Sequence, residues 1–345
     1  MASIERLQRM SDKHAASRES ILLQLIKLLF GLWADFDKWD DADLVAGMAA
    51  RSATLVESAS GQARILNRSY ITTTLRELGT EARDVPAVLN TYPRSNATGS
   101  EVYRRPVDEF IWRRRNGGTL EESREAFEQR LREVAEADMR AAEREEVENV
   151  LTRALEVIGY RRIIHPELSK SGSCGLCIVA SAQLYRTDEL MPLHGGSCNC
   201  GVMAVTKTDD PGLRINDDDL KSIYAAAGST AADDLVNTRI KINDHGELGP
   251  VLVKQGDHFR TAKEAGRPEY VKPTNASRRA NAQREIRQLT EQAATAQAAY
   301  DEMPDGIKFD ADGNTTPASI ALFRSIRFMR ERITTYERLL TQLAE

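Results

Sequence analysis

The sequence predicts a mainly α protein with a small β segment: a helical domain, then a cysteine/histidine module, then a C-terminal antiparallel coiled-coil hairpin. Three observations predict it. Apolar residues recur at helical spacing over most of the chain, all four cysteines fall between Cys174 and Cys200, and residues 276–345 carry two heptad-like seams. A length of 345 residues favours several modules. The boundaries expected are 1–100 for an N-terminal helical region, 101–206 for a helical and cysteine/histidine module, 207–275 for an irregular wrapping or linker segment, and 276–345 for the hairpin. Charged residues supply 29% of the chain and the net charge is -5, so no global basic surplus draws it to phosphate. The N-terminus lacks a basic-then-apolar signal pattern, and "ILLQLIKLLFGLW" is interrupted by Lys27 and too short to span a bilayer. A soluble protein made in the cytosol, without membrane contact, is expected.

Taken in order, "ESILLQLIKLLFGLWADFDKW" gives one apolar stripe at Leu22, Leu25, Ile26, Leu29, Trp33 and Phe36, read as a packing face inside a bundle. "DADLVAGMAARSATLVESASGQARILNRSYITTTLRELG" is a second helical region, expected to break near Ser58 to Gln62. Thr119 with Glu122 makes a capping box opening a helical stretch whose apolar positions run from Phe127 to Ile158, with Gly159 as its expected end. Its middle, "AAEREEVEN", is almost wholly polar, which leaves two helices or one long helix partly lifted off the core. "YRRIIHPEL" and "CNCGVMAVTK" read as short strands entering and leaving the cysteine module, with Pro166 stopping the first.

The cysteines follow the pattern C-x2-C, sixteen residues, His194, three residues, C-x-C. A reducing compartment makes disulfides rare, and clustered thiols then point to metal or redox chemistry. A C-x2-C knuckle lets two thiolates converge while a distant pair closes a tetrahedron, which is what zinc requires. Five candidates, Cys174, Cys177, His194, Cys198 and Cys200, compete for four places, so either all four thiolates bind or His194 replaces one. Such a surplus indicates a closed, structural Zn2+ site. Four reduced thiols packed as small apolar residues are the bland alternative. No thioredoxin-like βαβ pattern surrounds the pair, and the deaminase order with its H-x-E is missing.

"VYRRPVDEFIWRRRNGG" interleaves Arg104, Arg105, Arg113, Arg114 and Arg115 with Tyr103, Phe110 and Trp112, a basic-aromatic mix able to make weak DNA contact. From 209 to 275 short elements alternate with turns such as "DDPG" and "NDHGELGP"; "DDLKSIYAAAG" reads as a short helix, "LGPVLVKQ" as a strand, and His245 and His258 as turn or surface residues. Ala282, Ile286, Leu289, Ala293, Ala296, Tyr300 and Met303 form one C-terminal seam, and Leu322, Ile326, Met329, Ile333, Tyr336, Leu340 and Leu343 the other, opened by Thr316 as N-cap and Pro317 at the first helical position. A protruding arm follows. "DADGN" lacks the spacing and closing glutamate of a calcium loop. Neither a nucleotide cradle nor a nucleophile with its base stands out, so no catalytic residues are expected and the chain reads as a metal-stabilised interaction protein rather than an enzyme.

The run "YRRIIHPELSKSGSCGLCIVASAQLYRTDELMPLHGGSCNCGV" closely resembles the cysteine-histidine core of the MuF-like minor head proteins of tailed bacteriophages, above all the form in phages and prophages of actinobacteria. The shared elements are "HPELS" from His165, "CGLC" from Cys174, Tyr185, "LMPLH" ending at His194, and "CNC" from Cys198, with "HGELGPVL" after the core. Residues 100 to 255 carry the resemblance. It implies a minor capsid protein of the virion, bound near the portal vertex and acting in head morphogenesis or DNA passage. Portal protein, major capsid protein or both would be its partners. It also implies metal binding by the same five candidates. The glycine pair in "HGGSCNC" departs from the usual spacer and leaves open whether His194 reaches the metal. A zinc-stabilised DNA-binding module and a capsid maturation protease-like enzyme are the two competing classes.

Overall fold

Good helix formers at apolar 3.6-residue spacing dominate the chain, and helices dominate the structure accordingly. The computed structural model describes residues 3–168, 175–189, 199–217, 220–221, 240–245, 249–254, 258–309 and 313–344. In chain order these form α1 (Ile4–Trp33), α2 (Ala42–Glu77), α3 (Gly99–Arg115), α4 (Leu120–Leu151), β1 (Val157–Ile163), a 3-10 turn (Pro166–Leu168), α5 (Gly175–Ser181), β2 (Gly201–Thr206), α6 (211–217), β3 (Ile240–His245), β4 (Gly249–Lys254), α7 (Asn275–Asp301), the short α8 (Asp305–Lys308) and α9 (Pro317–Gln342). Two compact units emerge. The first comprises Met1–Leu28, Val56–Pro93 and Arg132–Tyr270; the second comprises Leu29–Leu55, Arg94–Leu131 and Val271–Glu345.

In the first unit, Leu7 of α1, Ile71 and Leu75 of α2, and Val150 of α4 pack against Tyr160 and Met203 of the β1–β2 sheet. The strands expected on either side of the cysteines pair antiparallel, Tyr160 opposite Ala204 and Ile163 opposite Gly201. Gly159 does not end a helix, as its type suggested; α4 stops at Leu151 and Gly159 lies inside β1. A Cβ there would lie 2.5 Å from the Tyr185 carbonyl oxygen. The missing side chain lets Tyr185 and Tyr160 exchange two backbone hydrogen bonds of 2.9 Å each.

The break expected in α2 is bridged, and of the two possibilities for the polar middle of α4 the structure shows one long helix. α2 runs unbroken through Ser58 to Gln62 because Ala59, Ser60 and Gly61 there are buried, and a Cβ on Gly61 would come within 2.6 Å of Asn90 Oδ1. α4 continues through its polar middle because the charges find partners: Arg18 Nε lies 3.1 Å from Glu143, Arg64 3.1 Å from Glu145, and Arg68 2.5 Å from Glu146. Arg18, Arg64, Glu143 and Glu146 are buried, so this face is an ion-paired core surface and is not lifted into solvent. Beyond β2, the "DDPG" turn opens α6, whose Leu213 amide donates to Asp210 Oδ1 at 3.1 Å. β4 realises the expected strand and pairs with β3, Ile242 opposite Leu252, within the stretch read as short elements alternating with turns.

The second unit is built on two sets of contacts. Trp33, Trp39, Phe110 and Phe127 form an aromatic cluster, with Trp39 stacked on Phe110 at 3.9 Å; Phe36 lies beyond the end of α1 and meets Trp33 edge-on. α7 and α9 pack through Ala282, Leu289, Ala293 and Ala296 against Ile326, Met329 and Tyr336. Tyr300 faces Phe323, and Arg330 donates to Gln297 at 3.1 Å, which sets the two helices in opposite directions. Thr316 caps α9 as expected, accepting from the Ser319 amide. α7 does not protrude along its whole length: Asn281 donates to the carbonyls of Arg94 and Ala97, and Glu285 accepts from the Ser100 amide and hydroxyl.

Candidate metal centre

Of the five candidate ligands, Cys177 and Cys200 are described, while Cys174, His194 and Cys198 lie outside the described residues. Cys177 sits on α5 and Cys200 immediately before β2, and both are buried in one cluster with Ile164. The strand register explains the convergence, since pairing Ile163 with Gly201 sets the residue after β1 beside the residue before β2. One member of the C-x2-C pair and one of the C-x-C pair thus share a pocket of core.

The C-x-C end is held from two helices. Arg18 Nη1 of α1 donates to the Cys200 carbonyl at 3.0 Å while its Nε engages Glu143 of α4. Asn199, between the two cysteines, donates to the Leu168 carbonyl at 3.1 Å and accepts from Arg140 of α4 at 3.2 Å. The "HPEL" turn and the "CNC" stretch, far apart in sequence, are therefore bonded to each other. At the end of β1, Asn216 of α6 accepts from the Ile164 amide and donates to the Arg162 carbonyl.

His165 heads that turn with its side chain 1% exposed. Its Nε2 lies 3.2 Å from Ser11 Oγ, and its Nδ1 lies 3.0 Å from Glu167 Oε1 and 3.7 Å from Asp12 Oδ1. Asp12, His165 and Glu167 can hold a metal ion: one ligand atom from each falls within 4.8 Å of the others. Burial lowers the His165 pKa against the pull of Glu167, and burial raises that of Asp12. Sequence reasoning missed this group because Asp12 sits in an N-terminal helix with no spacing relation to the "HPEL" turn. Only the packing of α1 on the module brings them together.

Beside it, the Tyr70 hydroxyl donates to the Val202 carbonyl at 3.0 Å, and burial pushes its pKa up to about 12. His14 stacks on Tyr70 with ring centroids 4.1 Å apart, and both ring nitrogens are buried with no hydrogen-bond partner. Burial first, then Arg18 and His165, lowers its pKa to about 2.

The basic-aromatic segment separates into two faces of α3. Tyr103 and Phe110 point into the core, while Trp112 is exposed, with the Arg113 guanidinium 5.9 Å from its ring centroid. Arg104, Arg113, Arg114 and Arg115 are exposed and Arg105 half-buried. Arg113 pairs with Glu109, and Arg114 donates to the Gly118 carbonyl. A cavity of about 420 Å³ is lined by Arg104, Arg114 and Arg115 but equally by Asp37, Asp40 and Asp108. The aromatic rings expected to interleave with the arginines are mostly unavailable for base stacking. His258 is exposed, in keeping with a surface residue; for His245 the structure gives the backbone, the last residue of β3. Among the described residues no helix is long and apolar enough to cross a membrane. Compared with protein-family models, with curated proteins and with solved structures, the chain matches none.

Proposed function

We propose that this chain is a structural minor head protein of a tailed-phage virion, seated near the portal vertex, with a structural zinc site and no catalytic role. The observation that carries the proposal is the joint burial of Cys177 and Cys200 against Ile164, with the "HPEL" turn and "CNC" stretch hydrogen-bonded to each other. These are the motifs on which the resemblance to MuF-like proteins rests. Zinc would take four of Cys174, Cys177, His194, Cys198 and Cys200, and tetrahedral thiolate coordination would lock the turn to the strand. The opposed α7 and α9 act in this proposal as a coiled-coil hairpin presented to portal or capsid protein. A weaker DNA contact through Arg104 and Arg113 to Arg115 is compatible with their exposure, although the neighbouring aspartates reduce the local potential.

The test has two parts. Purified protein should contain zinc that Cys177→Ser releases, and EDTA should lower its melting temperature, because metal affinity appears as folding free energy, on the order of several kcal/mol. It should also co-elute with the portal protein of the same genome at moderate salt. Absence of bound metal with melting unchanged by EDTA would remove the zinc site. A folded chain that ignores portal and capsid protein but binds duplex with a steep salt dependence would replace the head-protein assignment by the DNA-binding one. Proteolytic turnover abolished by a single alanine would replace it by the enzyme.

A further inference from the structure

We propose a second metal centre, with a donor set distinct from the cysteines: Asp12, His165 and Glu167 bind a divalent first-row transition ion through one nitrogen and two carboxylate oxygens. The supporting geometry begins on the far side of the ring, where His165 Nε2 lies 3.2 Å from Ser11 Oγ. A serine hydroxyl can accept there, and in the tautomer that donates Nε2–H to Ser11 the Nδ1 lone pair is bare.

That lone pair faces Glu167 Oε1 at 3.0 Å and Asp12 Oδ1 at 3.7 Å. In that tautomer the three ligand atoms, all within 4.8 Å of one another, confront each other as lone pairs, and a cation placed among them removes their repulsion. The supporting shell has the arrangement of a metal-bound histidine, whose other ring nitrogen donates to a fixed acceptor that orients the ring. Ring orientation is further restricted by Gly201, where even a Cβ would stand 3.2 Å from Nε2. The ring is buried and the two carboxylates are half-exposed, so an ion can enter from solvent and keep water on its open positions. Imidazole with carboxylate suits manganese, iron or zinc, in contrast to the all-oxygen shells of calcium and magnesium or the soft shell of a thiolate site. Because Asp12 belongs to α1 and the other two to the turn after β1, the ion would fasten the first helix to the entrance of the cysteine module.

The experiment is a Mn2+ titration of the full-length protein, dialysed free of loosely held divalent ions, with unbound Mn2+ read by electron paramagnetic resonance. The expected result is one bound Mn2+ per chain, displaced by Zn2+. In Asp12→Asn/Glu167→Gln it should bind about a hundredfold or more weakly with unchanged circular dichroism, since loss of an outer-shell partner alone costs about ten- to a hundredfold. Ser11→Ala, which removes only the orienting partner, should weaken binding about tenfold. Binding that is absent from wild type, or equal in wild type and the double variant, overturns the proposal and leaves Nδ1–H donating to Glu167 as the reading of that contact. Binding lost in a folded Cys177→Ser variant but kept in the double variant also overturns it, by moving the ion to the thiolates. Neither outcome bears on the head-protein assignment, whose zinc is counted separately.

Discussion

A methyl group at position 159 would collide with a backbone oxygen at 2.5 Å and with Leu184 Cδ1 at 2.9 Å. Gly159→Ala is therefore expected to destabilise by about 1–3 kcal/mol, the usual cost of overpacking, read as a lower urea midpoint. His14 supplies a pH signature. Its folded pKa of about 2 lies below the unfolded 6.5, so the unfolded chain takes up the proton first and stability falls as pH drops below 6.5. Between pH 7 and pH 5 this one group should cost about 2 kcal/mol, and His14→Phe, which keeps the stack on Tyr70, should remove that part of the loss in urea titrations at the two pH values. At this scale the cysteines were conspicuous because their spacing is itself chemical information. Asp12 and His14 were not, since a polar residue on an amphipathic helix looks the same whether it meets solvent or a buried partner.

α4 shows what periodicity can and cannot convey. Its capping box was readable, and Thr119 and Glu122 do satisfy each other's amides at 3.1 and 2.8 Å. The fate of "AAEREEVEN" was not readable, because whether a glutamate is solvated or paired depends on arginines supplied by α1 and α2. Breaking such a buried pair leaves an uncompensated charge. Glu143→Ala is expected to cost about 3–5 kcal/mol, against about 0.5 kcal/mol or less for the exposed Glu128→Ala on the same helix, both measured by chemical denaturation. The seam between α7 and α9 was legible almost residue by residue, since small residues on one helix oppose large ones on the other. Leu289→Ala, at a site 1% exposed, should lose about 2–5 kcal/mol, seen as faster amide exchange in both helices.

Each compact unit draws on three separate stretches of chain, and composition along the sequence carries no mark of that assembly. A hairpin read as a free arm consequently proves to be structural at its base. Removing residues 276–345 should lower the helicity of the remaining chain, measured by circular dichroism per residue, because Asn281 and Glu285 satisfy backbone and side-chain groups at the start of α3. The pairing of Ile163 with Gly201 has a different bearing on the cysteine module. It clamps both ends of the excursion from 164 to 200, so the loop-closure entropy is met by the strand ladder and not by the metal. A metal there acts as a latch on an already closed loop. Chelation should then quicken exchange within α5 while β1 and β2 stay protected, which would let the module open and reclose without disturbing the helices that carry it.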